Sequence, residues 1–134
     1  MGSTYELNGN PAKFTEAAFQ AAVLTVARNE GWRYTHSRPA VDRSGKWSTP
    51  ISGDKGFPDL VMHHVAAPKL LIWELKTETG KVTADQEAWL ESMSIHNSWL
   101  VDVGVYRPRD WARLSMILAN PGNPISVVSG WARS

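Results

Sequence analysis

Residues 56–76, with the sequence GFPDLVMHHVAAPKLLIWELK, constrain the fold more than any other part of the chain. Two short segments rich in Val, Ile, Leu and Trp, residues 59–64 and 70–76, have the composition of β-strands, and Pro68 lies in the turn between them. The pattern predicts an antiparallel hairpin centred near residue 67. In such a hairpin the start of the first strand lies beside the end of the second.

Three charged side chains fall at the open end of this predicted hairpin. Antiparallel pairing places Asp59 next to Glu74 and Lys76, and a spacing of two residues puts Glu74 and Lys76 on one face of their strand. The strand is otherwise apolar on both faces, which indicates an interior position in a sheet. Two neighbouring carboxylates there repel each other, so one stays protonated unless a cation lies between them.

A hard divalent cation is the partner that suits these charged groups best. Carboxylate oxygens, a backbone carbonyl and waters form sites for Mg²⁺ or Mn²⁺, and such a metal lowers the pKa of a bound water. Lys76 would then hold that water or stabilise negative charge that develops on a phosphate oxygen. The alternative is a purely structural ion pair between Lys76 and a carboxylate, although buried ion pairs often fail to repay their desolvation.

The composition limits the class of protein. The length of 134 residues predicts one domain, residues 1–134, with a loose start at 1–10 and a C-terminal extension at 121–134. A formal net charge of +1 is too small to indicate nucleic-acid binding by itself, so that function depends on local clusters. The chain has no cysteine, no apolar run of ~18 residues and no signal peptide near its start, so we expect a cytoplasmic, non-membrane protein.

The first helix is predicted over residues 12–29, with Asn10 as its N-cap. Glu16 lies three residues before Phe19 and seven before Val23, so helical spacing places it on the same buried stripe. A carboxylate near a helix N-terminus is also stabilised by the helix dipole. A structural role and a role in the site therefore both remain open for Glu16.

A strand and a long loop follow this helix. Residues 32–38 alternate in polarity and predict a strand that has His36 on the same face as Trp32. Five Gly and Pro residues make residues 39–57 a predicted loop without regular structure. Basic residues around Trp47 suit contact with a phosphate backbone, although a solvated loop has the same composition. The basic residues of the loop and its flank are Arg38, Arg43, Lys46 and Lys55.

The second half of the chain predicts helix, strand and helix. Thr83 and Gln86 have the spacing of a capping box, which predicts a helix over residues 83–95. Residues 99–106 form an apolar strand long enough to be central, a last helix opens at Arg107, and residues 125–128 predict a short edge strand.

The element order α-β-β-β-α-β-α predicts an α/β fold with a single mixed β-sheet flanked by helices on both faces. The first three strands suit an antiparallel meander. The connection from residues 70–76 through the helix to residues 99–106 is then a parallel crossover.

Pro58-Asp59 followed by Glu74-Leu75-Lys76 matches the signature of the PD-(D/E)XK nuclease superfamily. With the sequence GFPDL at residues 56–60, Gly80-Lys81, Gln86 and Trp89, the chain resembles the VRR-NUC family of that superfamily. It is less closely similar to the Holliday junction resolvases of archaea and phages. The resemblance covers roughly residues 16–106 and implies a restriction-endonuclease-like fold.

The resemblance also implies a role for each matching residue. Asp59 and Glu74 would be metal ligands, the backbone carbonyl of Leu75 a third ligand, and Lys76 the catalytic lysine. Glu16 matches the acidic residue that those nucleases carry on the first helix, where it completes the metal site or binds a ligated water.

Three further residues match less specific positions. Gln86 matches the helix glutamine that hydrogen-bonds into the site of those nucleases, in competition with its role in the capping box. His36 and Ser37 fall where related nucleases place polar residues near the scissile phosphate. A histidine at the end of a strand is, however, commonly just solvated.

The expected function is therefore a DNA endonuclease that depends on Mg²⁺ or Mn²⁺ and hydrolyses phosphodiester bonds. A homodimer acting on branched DNA, such as a Holliday junction or a flap, is the expected form. Two alternatives remain open. One is a catalytically silent nucleic-acid-binding module of the same fold, and the other is a sequence-specific restriction-type endonuclease.

Overall fold

The computed structural model describes residues 5–37, 40–41, 44–45, 47–48 and 52–127. Among these residues the α-helices are α1 (Glu16–Asn29), α2 (Ala84–Met93) and α3 (Trp111–Ala119). The strands are β1 (Trp32–His36), β2 (Ala40–Val41), β3 (Trp47–Ser48), β4 (Leu60–His64), β5 (Leu70–Leu75) and β6 (Val101–Tyr106). The fold is α/β, as the sequence predicts.

Four of the strands form one mixed sheet in the order β1-β4-β5-β6. Strand β4 pairs antiparallel with both β1 and β5, which confirms the predicted meander and the predicted hairpin. Strand β5 pairs parallel with β6 through the connection that contains α2, which confirms the crossover. Strand β5 therefore lies in the interior of the sheet, where its apolar sequence is buried on both faces.

Helices cover both faces of this sheet. The larger core lies between one face and helices α1 and α3, and Trp73 of β5 is fully buried in it. A smaller core forms on the other face, where Leu90 of α2 packs with Val103 and Val105 of β6. On β5, Leu71 and Leu75 join the larger core while Ile72 packs against the smaller one, because successive side chains point to opposite faces.

The first helix begins later than predicted. Asn10 caps a separate 3₁₀ turn, Pro11–Lys13, rather than α1. The N-cap of α1 is Thr15, whose hydroxyl accepts a hydrogen bond from the backbone N–H of Ala18 at 3.1 Å. Two good N-caps lie five residues apart, and the second one starts the long helix.

Three predictions about the position of strands are wrong. The loop of residues 39–57 is not wholly irregular, because β2 and β3 pair antiparallel as a second, two-stranded sheet. Gly45, with φ of +84°, supplies the backbone conformation that reverses the chain between them. Strand β6 lies at the edge of the described four-stranded sheet rather than at its centre. Residues 125–127 of the predicted edge strand are not in a strand, and Val128 lies outside the described residues. Ile125 contributes one backbone hydrogen bond, to the carbonyl of Trp99 at 3.0 Å.

The other elements agree closely with their patterns. Helix α2 has Thr83 as its N-cap, and α3 follows a 3₁₀ turn at Pro108–Asp110 and buries Trp111, Leu114 and Leu118. Within the part of the chain that is described, no helix is long and apolar enough to cross a membrane.

Candidate active site

Asp59 and Glu74 lie side by side at one end of the β4–β5 hairpin. Leu60 pairs with Trp73, so continuing the antiparallel register by one residue sets Asp59 opposite Glu74. The backbone carbonyl of Asp59 also accepts a hydrogen bond from the N–H of Ser37 at 2.8 Å, which attaches this end of the hairpin to β1. The predicted convergence of the two carboxylates is confirmed.

Glu74 is a buried carboxyl group whose charged form is unfavourable. The residue is only 3% exposed. Burial, followed by the negative charge of Asp59, raises the pKa of Glu74 to about 8, although the ammonium group of Lys76 opposes both effects. Glu74 therefore carries a proton at neutral pH unless a cation approaches it.

Asp59 is subject to the same effects to a smaller extent. Burial, followed by the charge of Glu16, raises the pKa of Asp59 to about 6, while Lys76 and the backbone amides of Asp59 and Leu75 lower it. Among the described residues, its buried Oδ1 atom has no hydrogen-bond partner. A buried carboxylate oxygen without a donor is costly, so this atom is suited to accept a ligand.

Lys76 provides the positive charge of the cluster. Its Nζ atom lies 3.7 Å from Oε2 of Glu74, and its side chain is 12% exposed. The backbone N–H of Lys76 donates to the carbonyl of Tyr106 at 3.0 Å, so the β5–β6 pairing fixes the backbone of this residue.

Glu16 contributes to the cluster from α1, but its side chain is exposed and does not lie on the buried stripe. That prediction is wrong because α1 begins at Glu16, and the first buried residue of the helix is Phe19. The charge of Glu16 nevertheless raises the pKa of both Asp59 and Glu74, which places it within electrostatic reach of the pair.

Gln86 belongs to the cap of α2. Its Oε1 atom accepts a hydrogen bond from the backbone N–H of Thr83 at 2.9 Å, while the Thr83 hydroxyl accepts from the N–H of Gln86 at 3.2 Å. The capping box is thus complete, and the side-chain oxygen of Gln86 is used at the helix terminus. Of the two roles that the sequence left open, the structure shows the structural one.

His36 lies beside Asp59 and is not a solvated histidine. Its Nε2 atom is 3.7 Å from Oδ2 of Asp59, and its side chain is 6% exposed. Ser37 and Lys55 are exposed. The other predicted DNA contacts, Arg38, Arg43 and Lys46, lie outside the described residues.

The oxygen donors at the hairpin end fit a hard divalent cation in their chemistry. Two carboxyl groups with raised pKa values stand together, and one of their buried oxygens has no donor among the described residues. The described residues do not include a group of three or more His, Asp or Glu side chains with the spacing of a metal site. A complete ligand set would thus also need the backbone carbonyl of Leu75, waters or a movement of Glu16.

No family model matches the chain, and no curated protein or solved structure matches it either. The likeness to the VRR-NUC nucleases therefore depends on the sequence motif alone.

Arg107 is a residue near the site that sequence reasoning missed. It is 6% exposed, and its Nη1 atom donates to the carbonyls of Thr77 and Gly80 at 2.6 and 2.7 Å. These bonds fix the turn that directly follows Lys76. The only signal in the sequence is an arginine at the end of an apolar strand, which by itself does not distinguish a buried clamp from a solvated side chain.

Proposed function

We propose that this protein is a divalent-metal-dependent nuclease that hydrolyses phosphodiester bonds in DNA. The observation that carries the proposal is the convergence of Asp59, Glu74 and Lys76 in a largely buried cluster at one end of the sheet. Burial of two adjacent carboxyl groups destabilises their charged forms, and a purely structural site gains nothing from that arrangement.

Asp59 and Glu74 would hold Mg²⁺ or Mn²⁺, together with the carbonyl of Leu75 and, directly or through water, Glu16. When bound, the cation would supply Lewis-acid stabilisation of phosphate charge and a more acidic water. Because Glu74 is protonated at neutral pH in the free protein, binding a cation there releases its proton.

Lys76 would be the protein side chain that acts directly on the phosphate during hydrolysis. Its ammonium group, 3.7 Å from Glu74, is fixed beside the carboxyl pair, where the scissile phosphate would lie. A preorganised positive charge in a partly dry site stabilises the negative charge that develops on the phosphate oxygens. Lys76 also positions the attacking water through an N–H donor.

The element order suits a restriction-endonuclease-like fold, with α1 before the meander and α2 in the crossover. We include in the proposal that the protein acts on DNA inside the cell as a homodimer, with branched DNA such as a Holliday junction or a flap as its substrate. Selection of such a substrate by DNA shape, rather than by base sequence, is part of this proposal.

Cleavage of labelled linear and branched DNA with Mg²⁺ or Mn²⁺ tests this proposal. Asp59→Asn and Lys76→Ala should each lower the rate by about 10²–10³-fold, as loss of a charged transition-state contact typically does. Arg33→Ala is the control, since it removes one exposed positive charge from β1 near the opposite end of the sheet. Metal-dependent cleavage that persists in both site variants contradicts the mechanism.

The second candidate is a catalytically silent nucleic-acid-binding module. It is favoured by one observation, the lack of three clustered His, Asp or Glu side chains among the described residues. Calorimetric titration with Mn²⁺ separates the two functions. Binding that Glu74→Gln abolishes supports the nuclease, whereas no binding at millimolar Mn²⁺ supports the silent module.

A further inference from the structure

A groove lies between residues 53–55 and one side of helix α2, and its volume is about 540 Å³. This volume is within the range of small-molecule sites in proteins. Its walls combine one aromatic ring with short polar and charged side chains. The lining residues are Gly53, Asp54, Lys55, Asp85, Ala88, Trp89 and Ser92.

Two contacts hold the groove in shape. The indole Nε1 atom of Trp89 donates to the backbone carbonyl of Asp54 at 3.3 Å. Gly56 has φ of +94° and lies so close to α2 that a Cβ atom there would be 2.4 Å from the carbonyl carbon of Asp85. The loop is therefore pressed onto the helix, and the groove does not need a ligand to form.

A second aromatic ring, that of Phe57, packs against Trp89 beside the groove. Phe57 packs edge to face with Trp89, at a centroid distance of 5.0 Å and an interplanar angle of 85°, and it remains 45% exposed. Asp59 follows Phe57 by two residues, so their Cα atoms are at most about 7 Å apart. A nucleotide next to a phosphate at Asp59 can therefore reach these rings.

The charges of the groove favour a base over a phosphate. Asp54 and Asp85 contribute two negative charges against the single positive charge of Lys55, so a phosphate group is repelled overall. Their oxygens can instead accept hydrogen bonds from the exocyclic amine of adenine, cytosine or guanine. A base can present that edge and its ring face only when it is not stacked in a duplex.

We propose that the groove binds one unpaired nucleobase of the DNA strand whose phosphate lies at Asp59, with the base stacked on Trp89. The inference rests on the proposed nuclease function and specifies its substrate as DNA with an unpaired nucleotide beside the cleaved bond. Stacking on an aromatic side chain binds single strands with little sequence preference.

Binding measured in EDTA tests the groove without hydrolysis. The probe is a DNA flap that carries fluorescent 2-aminopurine at its first unpaired position, and a continuous duplex serves as the reference. Trp89→Leu should weaken flap binding about tenfold and remove the quenching of 2-aminopurine, since a stacked base contributes on that scale. Trp89→Phe should keep most of both, because a ring remains.

Trp99→Leu is the matched control. Trp99 is 69% exposed and lies next to the first residues of β6, at the opposite end of the β5–β6 pair from Glu74. We expect it to bind the flap as the wild type does, and duplex binding should change less than twofold in all variants. Equal flap affinities of Trp89→Leu and Trp99→Leu overturn the proposal.

The failures of the two proposals can be told apart. If the wild-type protein cleaves DNA and Trp89→Leu keeps the same ratio of flap to duplex cleavage, the groove is not a base site while the nuclease function stands. If the wild-type protein cleaves nothing but binding depends on Trp89, the groove is a base site and the nuclease function fails.

Discussion

Two buried clusters in this molecule are built around carboxyl groups, and their hydrogen bonding differs. At Asp102, one oxygen accepts from Nε1 of Trp73 at 2.9 Å and from the hydroxyl of Tyr106 at 2.5 Å, while Arg113 lies 3.5 Å from the other oxygen. At the hairpin end, Asp59 has an oxygen without a donor among the described residues, and Glu74 has Lys76 at 3.7 Å.

Asp102 is a carboxylate that stabilises the fold, whereas the carboxyl groups of Asp59 and Glu74 destabilise it. Asp102 is surrounded by donors that would be left unsatisfied without it, and its hydrogen bonds join β5, β6 and α3. Asp59 and Glu74 face each other, and both have raised pKa values. Removal of the ionisable group should therefore destabilise the fold at Asp102 and, at pH values where Glu74 ionises, stabilise it at Glu74.

The largest effect is expected at Asp102. Asp102→Ala should lower the free energy of unfolding by about 3–5 kcal/mol, because it leaves the buried Trp73 and Tyr106 donors without an acceptor. Urea denaturation measures this, with Glu74→Ala as the matched removal of a buried carboxyl group. If the Asp102 variant loses less than the Glu74 variant, the distinction between the clusters is wrong.

Glu74 should make stability depend on pH. Its pKa is about 8 in the folded protein against an ordinary value of 4.5, so between these values the folded state holds a proton that the unfolded state has released. The contribution of Glu74 to stability should be fully present below about pH 4.5, fall as the pH rises towards 8 and then level off.

Glu74→Gln isolates this contribution, because glutamine has no proton to lose. At pH 8 the variant should be more stable than the wild type by roughly 4 kcal/mol, and the difference should become small near pH 4.5. Asp59 acts in the same direction but only up to about pH 6. The pH dependence of thermal stability between pH 6 and 8 thus reports on Glu74. If stability changed with pH in the same way for the wild type and Glu74→Gln over that range, the raised pKa of Glu74 would be refuted.

A bound divalent cation should offset the destabilisation caused by the carboxyl groups of Asp59 and Glu74. At ten times its dissociation constant, Mn²⁺ should raise the free energy of unfolding of the wild type by about 1.4 kcal/mol. Glu74→Gln should show little of this increase, whereas Glu6→Gln, an exposed substitution, should keep it. An equal increase in all three proteins, measured by thermal unfolding with and without Mn²⁺, would place the cation elsewhere.

Glu16 should have the smallest effect, since it is exposed. Glu16→Gln removes a negative charge that raises the pKa values of Asp59 and Glu74, so both pKa values should fall. The fall should be small, because an exposed charge typically contributes less than about 1 kcal/mol of interaction energy. Carboxyl-carbon NMR titration of Asp59 measures the change. Glu6→Gln again serves as the reference, and the same titration curve in both variants would remove Glu16 from the site.

The hairpin end was predictable because strand composition, one turn and antiparallel pairing are enough to bring Asp59 beside Glu74. The capping box at Thr83 was predictable for a similar reason, since it depends on residues three apart. The burial of His36 and the clamp formed by Arg107 were not. Both depend on which elements pack over those side chains, and that is decided by contacts between residues far apart in the chain.

The close approach of Gly56 to α2 has a consequence for variation at this position. The backbone has a φ that favours glycine, and the space that a side chain would need is filled by the backbone of Asp85. A saturation library selected for function should therefore return glycine at residue 56 almost without exception. Alanine there would lift the loop away from the helix, and with it the segment that leads into Asp59.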